Sequence, residues 1–131
     1  MRTTISEPVF CTQITVFIGN KFENFREITK KERDMVLSNR DADFDGMTVF
    51  LPNLETLMWI GTDASSGTMV HELAHSIFYF LSETGNYPID SREETFCYLI
   101  GYYYNRIMEW VSLKSAKKKK TRKPKNANKR V

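Results

Sequence analysis

His71 and His75 are the only histidines in 131 residues, and they stand four apart in the string His71-Glu72-Leu73-Ala74-His75. On a helix, positions i and i+4 lie on one face, so both imidazoles can reach one metal ion. Glu72 falls about 100° round the helix from His71, where its carboxylate can address a water on that ion. Two histidines placed at random rarely fall four apart. With a glutamate also in second place, chance supplies the pattern in roughly one case per thousand, so metal binding is favoured over two unrelated core histidines. The chemistry of such a set is hydrolytic, with a metal-activated water and a carboxylate as general base.

The elements around the motif are those it needs. Thr68 or Ser66 offers an N-cap after the Gly/Ser-rich approach of residues 61–67, and no Pro or Gly interrupts residues 69–81. Val70, Leu73, Ala74, Ile77 and Leu81 make an apolar stripe at helical spacing, widened by Phe78 and Phe80, which predicts a helix in the centre of the domain. Gly85 is a natural stop. Zinc in catalytic sites takes three protein ligands and leaves one position open. With no third histidine, and with neither cysteine near the motif, the third ligand is expected to be a carboxylate from Glu83, Asp90, Glu93 or Glu94. Glu83 lies eight residues past His75, about 12 Å along the axis, too far on the same helix. Asp90 falls in the loop or at the next cap. Ser91 or Asp90 opens a second helix running to about Lys114, with Glu93 and Glu94 in its first turn.

This pattern, a His-Glu-x-x-His string with a glutamate on the following helix, resembles the gluzincin class of zinc metallopeptidases. The strings His71-Glu72-Leu73-Ala74-His75-Ser76-Ile77-Phe78-Tyr79 and Glu94-Thr95-Phe96-Cys97-Tyr98-Leu99-Ile100-Gly101-Tyr102 also resemble small zincin-like proteins of phages and mobile elements. The resemblance covers residues 67–104. It implies Zn2+ as cofactor, His71, His75 and Glu94 as ligands with Glu93 as rival, Glu72 as catalytic base, and a protein or peptide substrate. It implies an α+β, zincin-like fold: a small, mainly antiparallel sheet packed on the motif helix and a second long helix. The family's transition-state-stabilising histidine has no clear counterpart here, since His71 and His75 are the only two in the chain. Tyr98 and Tyr102, four apart on the face that follows Glu94, are the candidates for that oxyanion role, against ordinary packing.

The rest of the chain divides by charge. Residues 114–131 carry 10 of the 19 Lys and Arg and no Asp or Glu, leaving residues 1–113 with nine basic against sixteen acidic residues, a net −7. The expectation is a metal-binding domain over residues 1–113 and a basic, disordered tail over 114–131. Lys117, Lys118, Lys119, Lys120, Arg122 and Lys123 form its densest run, suited to nucleic acid or an acidic protein. The tail has no aromatic for base stacking, so sequence-specific reading is not expected. Cys11 and Cys97 form no framework, and together with the absence of a secretory signal they suggest a reducing cytosol, or a virion if the chain is phage-encoded. No apolar run approaches the roughly 18 residues of a membrane span.

Residues 9–18 read as a strand, 19–20 as a turn, and 30–38 as a short helix capped by Thr29 with Glu32 in the capping-box place. Residues 47–51 and 56–60 read as two more strands. In zincins an edge strand binds extended substrate through its backbone, a role the resemblance gives to residues 56–60, with Trp59 at the cleft or, more simply, in the core. Residues 41–46 begin like a calcium loop, but its twelfth position is Pro52 where a glutamate is needed, so the reading is a polar loop entering a turn at Asp45-Gly46. Gly101, inside the second helix, points to close helix–helix approach. A competing class fits the same residues: a catalytically silent zincin-like structural or interaction protein, such as a virion component in a larger assembly, with its tail on nucleic acid.

Overall fold

Four extended segments pair into one sheet because side chains of alternate parity leave a strand on opposite faces, and both faces are apolar. The computed structural model describes residues 1–38, 45–85 and 93–121. Its elements are β1 (Arg2–Glu7), β2 (Thr12–Ile18), α1 (Phe22–Arg33), β3 (Gly46–Leu51), β4 (Glu55–Ile60), α2 (Ser66–Glu83) and α3 (Glu93–Thr121). The strand order is β1-β2-β4-β3. β1 pairs antiparallel with β2 and β3 antiparallel with β4, while β2 and β4 run parallel, so the sheet is mixed and two of its three pairings are antiparallel. The protein is a small α+β domain.

The sheet separates two cores. Phe17, Leu57, Trp59, Val49 and Leu51 point to one face, where Phe25 of α1 is completely buried among them. Ile14, Val16, Met58 and Ile60 point to the other, onto Leu73, Ile77 and Phe80 of α2 and Leu99, Tyr103 and Ile107 of α3. Polar residues on these buried faces are matched. Thr56 and Ser76, both fully buried, share a 2.8 Å hydrogen bond between β4 and α2, and Thr12 and the Tyr103 hydroxyl share one of 2.7 Å.

Several local expectations are corrected. The strand of residues 9–18 starts only at Thr12, because Pro8–Cys11 form the turn of a β1–β2 hairpin, with Cys11 at φ 55°. β1 itself has no apolar alternation to announce it: its buried side chains are Ile5 and Glu7. The helix expected over residues 30–38 is α1, beginning eight residues earlier. Phe22, Phe25 and Ile28 recur at helical spacing and dock on the sheet, while Thr29 lies inside the helix and donates back to the Phe25 carbonyl at 2.8 Å. Ser65, not Ser66 or Thr68, caps α2, accepting from the Thr68 amide at 3.3 Å. Val70 and Phe78, expected in the apolar stripe, are 39% and 52% exposed; Met69 and Ser76 are buried instead.

α3 does not end near Lys114 but continues to Thr121, so the first eight residues assigned to the disordered tail are helical; residues 122–131 lie outside the described ones. Lysines suit a helix C-terminus electrostatically, and no Pro or Gly stands between Gly101 and Pro124. Gly101 is not a point of close approach, since a Cβ built there meets nothing within 4 Å. The calcium-like loop lies outside the described residues except for Asp45 and Gly46.

Candidate metal site

α2 carries the motif between two walls. Leu73 and Ile77 hold its inner face in the core, which leaves His71 and His75 exposed, one turn apart, on the flank beside β3. The two Nε2 atoms converge to 3.1 Å, with ring centroids 4.7 Å apart and planes at 84°. Two nitrogens each 2.0–2.1 Å from a tetrahedral zinc stand about 3.3 Å apart, so the pair fits one ion with a small adjustment. Two neutral imidazoles sharing one proton use the same geometry.

Glu72 lines the same cleft, packed against β3, and is only 7% exposed. The Thr48 hydroxyl of β3 lies 2.7 Å from Glu72 Oε2 and 3.0 Å from the Glu72 carbonyl oxygen, so it anchors one carboxylate oxygen and leaves Oε1 unengaged by it. Gly46 allows this approach: a Cβ there would stand 2.8 Å from Glu72 Cγ and 2.9 Å from Thr68 Cγ2. Gly46, Met47, Thr48, Phe50, His71, Glu72 and His75 enclose an open cleft of about 330 Å³. At one end Phe50 stacks on Tyr79 at 4.7 Å and 18°, and the Tyr79 hydroxyl donates to the Leu51 carbonyl. Burial, and secondarily Glu83, raise the pKa of that phenol and keep it a neutral donor.

The strand beside the motif is therefore β3, not β4. Residues 56–60 lie in the sheet interior, and Trp59 belongs to the opposite core, 4% exposed, with its indole N–H donating to the Asn20 carbonyl at 2.8 Å. Along β3, Asp45 accepts from Gly61 at 2.8 Å in register with the β4 pairing. By antiparallel alternation Met47, Val49 and Leu51 then bond to β4, while the N–H and C=O groups of Gly46, Thr48 and Phe50 face the outer edge. Those three residues are the ones whose even parity brings them to the cleft. The sequence reading missed Gly46, Thr48, Phe50 and Tyr79; the period-2 recurrence of 46, 48 and 50 was the available signal.

The remaining expected residues are scattered. Glu83 and Glu94 are exposed at the end of α2 and in the first turn of α3. Phe96, two residues past Glu94, packs against Phe78 at 5.1 Å, a turn beyond His75. The Glu93 side chain and Asp90 lie outside the described residues. Among the described residues no group of three His, Cys, Asp or Glu gathers to hold an ion. Tyr98 and Tyr102 are not brought to the cleft: their hydroxyls donate to Glu7 Oε1 at 3.2 Å and to the Ser6 carbonyl at 3.0 Å, at the far end of β1. α3 packs over β1, across the sheet from β3, which turns this face away from the histidines. Lys117, Lys118, Lys119 and Lys120 are exposed on the last turns of α3, and Arg122 and Lys123 lie outside the described residues. Cys11 and Cys97 are free and exposed, and among the described residues no helix is long and apolar enough to cross a membrane.

Comparison with protein-family models, with curated proteins and with solved structures found no match.

Proposed function

We propose that this chain is a zinc-dependent metallopeptidase of zincin-like build, acting on an extended peptide laid along β3. The observation that carries this reading is the convergence of His71 and His75 Nε2 to 3.1 Å beside a buried carboxylate whose second oxygen is free of its anchor. His71 and His75 would hold the ion, with Glu94 or Glu93 as the third ligand. Zinc supplies acidification of a water and positive charge for a carbonyl oxygen. Glu72, fixed through Oε2 by Thr48, offers Oε1 to take a proton from the attacking water and later to deliver it to the departing amine. The outward backbone groups of Gly46, Thr48 and Phe50 are suited to pair with an extended backbone as an added strand, and this would seat a peptide bond over the histidines without a deep pocket.

The test is metal content by elemental analysis of purified protein, followed by zinc-dependent cleavage of an unfolded protein substrate. About one zinc per chain is expected in wild type and in Glu72→Gln, with loss in His75→Ala and in either Glu94→Ala or Glu93→Ala. Cleavage is expected in wild type and absent in Glu72→Gln. Wild type that takes up no zinc on titration would remove the reading.

A further inference from the structure

α3 outlasts the domain it belongs to. Its last residue packed against the core is Val111, and from Ser112 to Thr121 every residue is exposed, a projection of about 15 Å. Lys114, Lys117, Lys118, Lys119 and Lys120 stand on this projection, and successive residues turn by about 100°, so the ammonium groups point to all sides of the axis. Among the described residues the ion pairs are Arg2–Glu32 and Arg33–Glu55, so none of these lysines is neutralised there. Residues 1–113 carry a net −7, yet the helix stands clear of them. The sequence beyond Thr121 adds Arg122, Lys123, Lys125, Lys129 and Arg130 without one acid.

We infer that this helical extension is a binding arm for double-stranded nucleic acid, seated in the major groove and independent of base sequence. A helix about 10–12 Å across matches a groove about 12 Å wide, and a groove places phosphates on both sides of its occupant. Cations distributed round a helix meet that arrangement, whereas a flat acidic surface would use one face only. An anionic membrane fits poorly, because a surface helix needs an apolar face. Here large apolar residues stop at Leu113 and return only at Val131. Between Lys114 and Thr121 the arm has no aromatic, Arg, Asn or Gln, and its lysines are point charges on flexible stems, suited to phosphates of any sequence.

The experiment is fluorescence anisotropy of the full chain with a labelled duplex of about 20 base pairs, two helical turns, across a salt series. Competitors are the single strand, poly-glutamate and phosphatidylserine vesicles. The paired variant is Lys117→Gln with Lys118→Gln, Lys119→Gln and Lys120→Gln, which keeps helix formers at positions touching nothing in the core. Wild type is expected to prefer duplex over single strand at least about ten-fold, and the variant to lose about 3 to 4 from the log–log salt slope, near 0.9 per phosphate contact. Duplexes of unrelated sequence should bind alike. An unchanged slope in the variant overturns the proposal, as does equal or tighter binding to single strand, poly-glutamate or vesicles. Circular dichroism and an unchanged Tm establish that the variant is folded.

Discussion

Gly46→Ala tests the close approach of β3 to α2, the tightest that any described glycine makes. The new methyl would stand 2.8 Å from Glu72 Cγ and 2.9 Å from Thr68 Cγ2, at least about half an ångström short of ordinary contact. Neither neighbour yields cheaply. The Glu72 carboxylate is buried and bonded to Thr48, and Thr68 is β-branched on the first turns of α2, with a stiff χ1. β3 must then move off α2. Overpacking of this kind costs about 1–3 kcal/mol, offset by a few tenths to 1 kcal/mol from the reduced freedom of the unfolded chain. A net 1–2 kcal/mol against an unfolding entropy of about 0.23 kcal/mol/K for the ordered residues lowers Tm by about 4–9 °C. Gly101→Ala is the control: with nothing within 4 Å and a helical backbone, it should raise Tm by about 2–4 °C. Scanning calorimetry reads both. A Gly46→Ala Tm within about 1 °C of wild type, or an equal fall in the control, would refute the close-contact argument.

Two further outcomes follow from the opposite end of the domain. Burial raises the Tyr103 pKa above 10, so the folded state keeps this phenol neutral where the unfolded chain ionises it. That contribution is complete below pH 10 and is lost above it by up to about 1.4 kcal/mol per pH unit. Tyr103→Phe, which also orphans the Thr12 hydroxyl, should unfold at lower urea at pH 8 but lose stability less steeply between pH 10 and 11; parallel wild-type and variant curves would sink this reasoning. Glu7, 1% exposed, accepts the Val9 and Phe10 amides at 2.7 and 2.9 Å and the Tyr98 hydroxyl. Glu7→Ala should cost about 2–4 kcal/mol in urea denaturation, from the amides and hydroxyl left without their acceptor, and a loss under about 1 kcal/mol would contradict that role.

What could be read from the sequence was what periodicity writes. α2 and the core stripe of α3 at Phe96, Leu99, Tyr103 and Ile107 follow helical spacing, and β3 and β4 were placed to within one residue because they are short apolar runs separated by Pro52-Asn53. β1 was invisible because one large apolar residue makes no pattern; its place is set by pairing with β2, a tertiary event. Thr29 misled because a threonine with a glutamate three residues on reads as a capping box, whereas Phe22 and Phe25 gain more by docking on the sheet. Tyr98 and Tyr102 share the helix face expected of them, but helix periodicity does not say which wall that face meets. Nothing local tells an edge strand from a central one when both are apolar, which is why the sequence does not show that residues 56–60 lie inside the sheet and β3 at its edge.

That exchange of strands changes the chemistry more than any single residue does. Had β4 flanked the motif, its outer groups would be bonded on both sides and no extended chain could join it. With β3 at the edge, one parity of one strand does two things at once. Gly46, Thr48 and Phe50 turn their side chains to α2 and their backbone groups to the open side. The first permits contact, the second anchors one oxygen of Glu72, and the third stacks on Tyr79 to close the cleft. A motif on a helix brings two imidazoles together by its own spacing. The direction in which its glutamate faces is decided by the neighbouring strand, so Thr48, which no reading of the motif would select, is the residue that fixes the Glu72 carboxylate against β3.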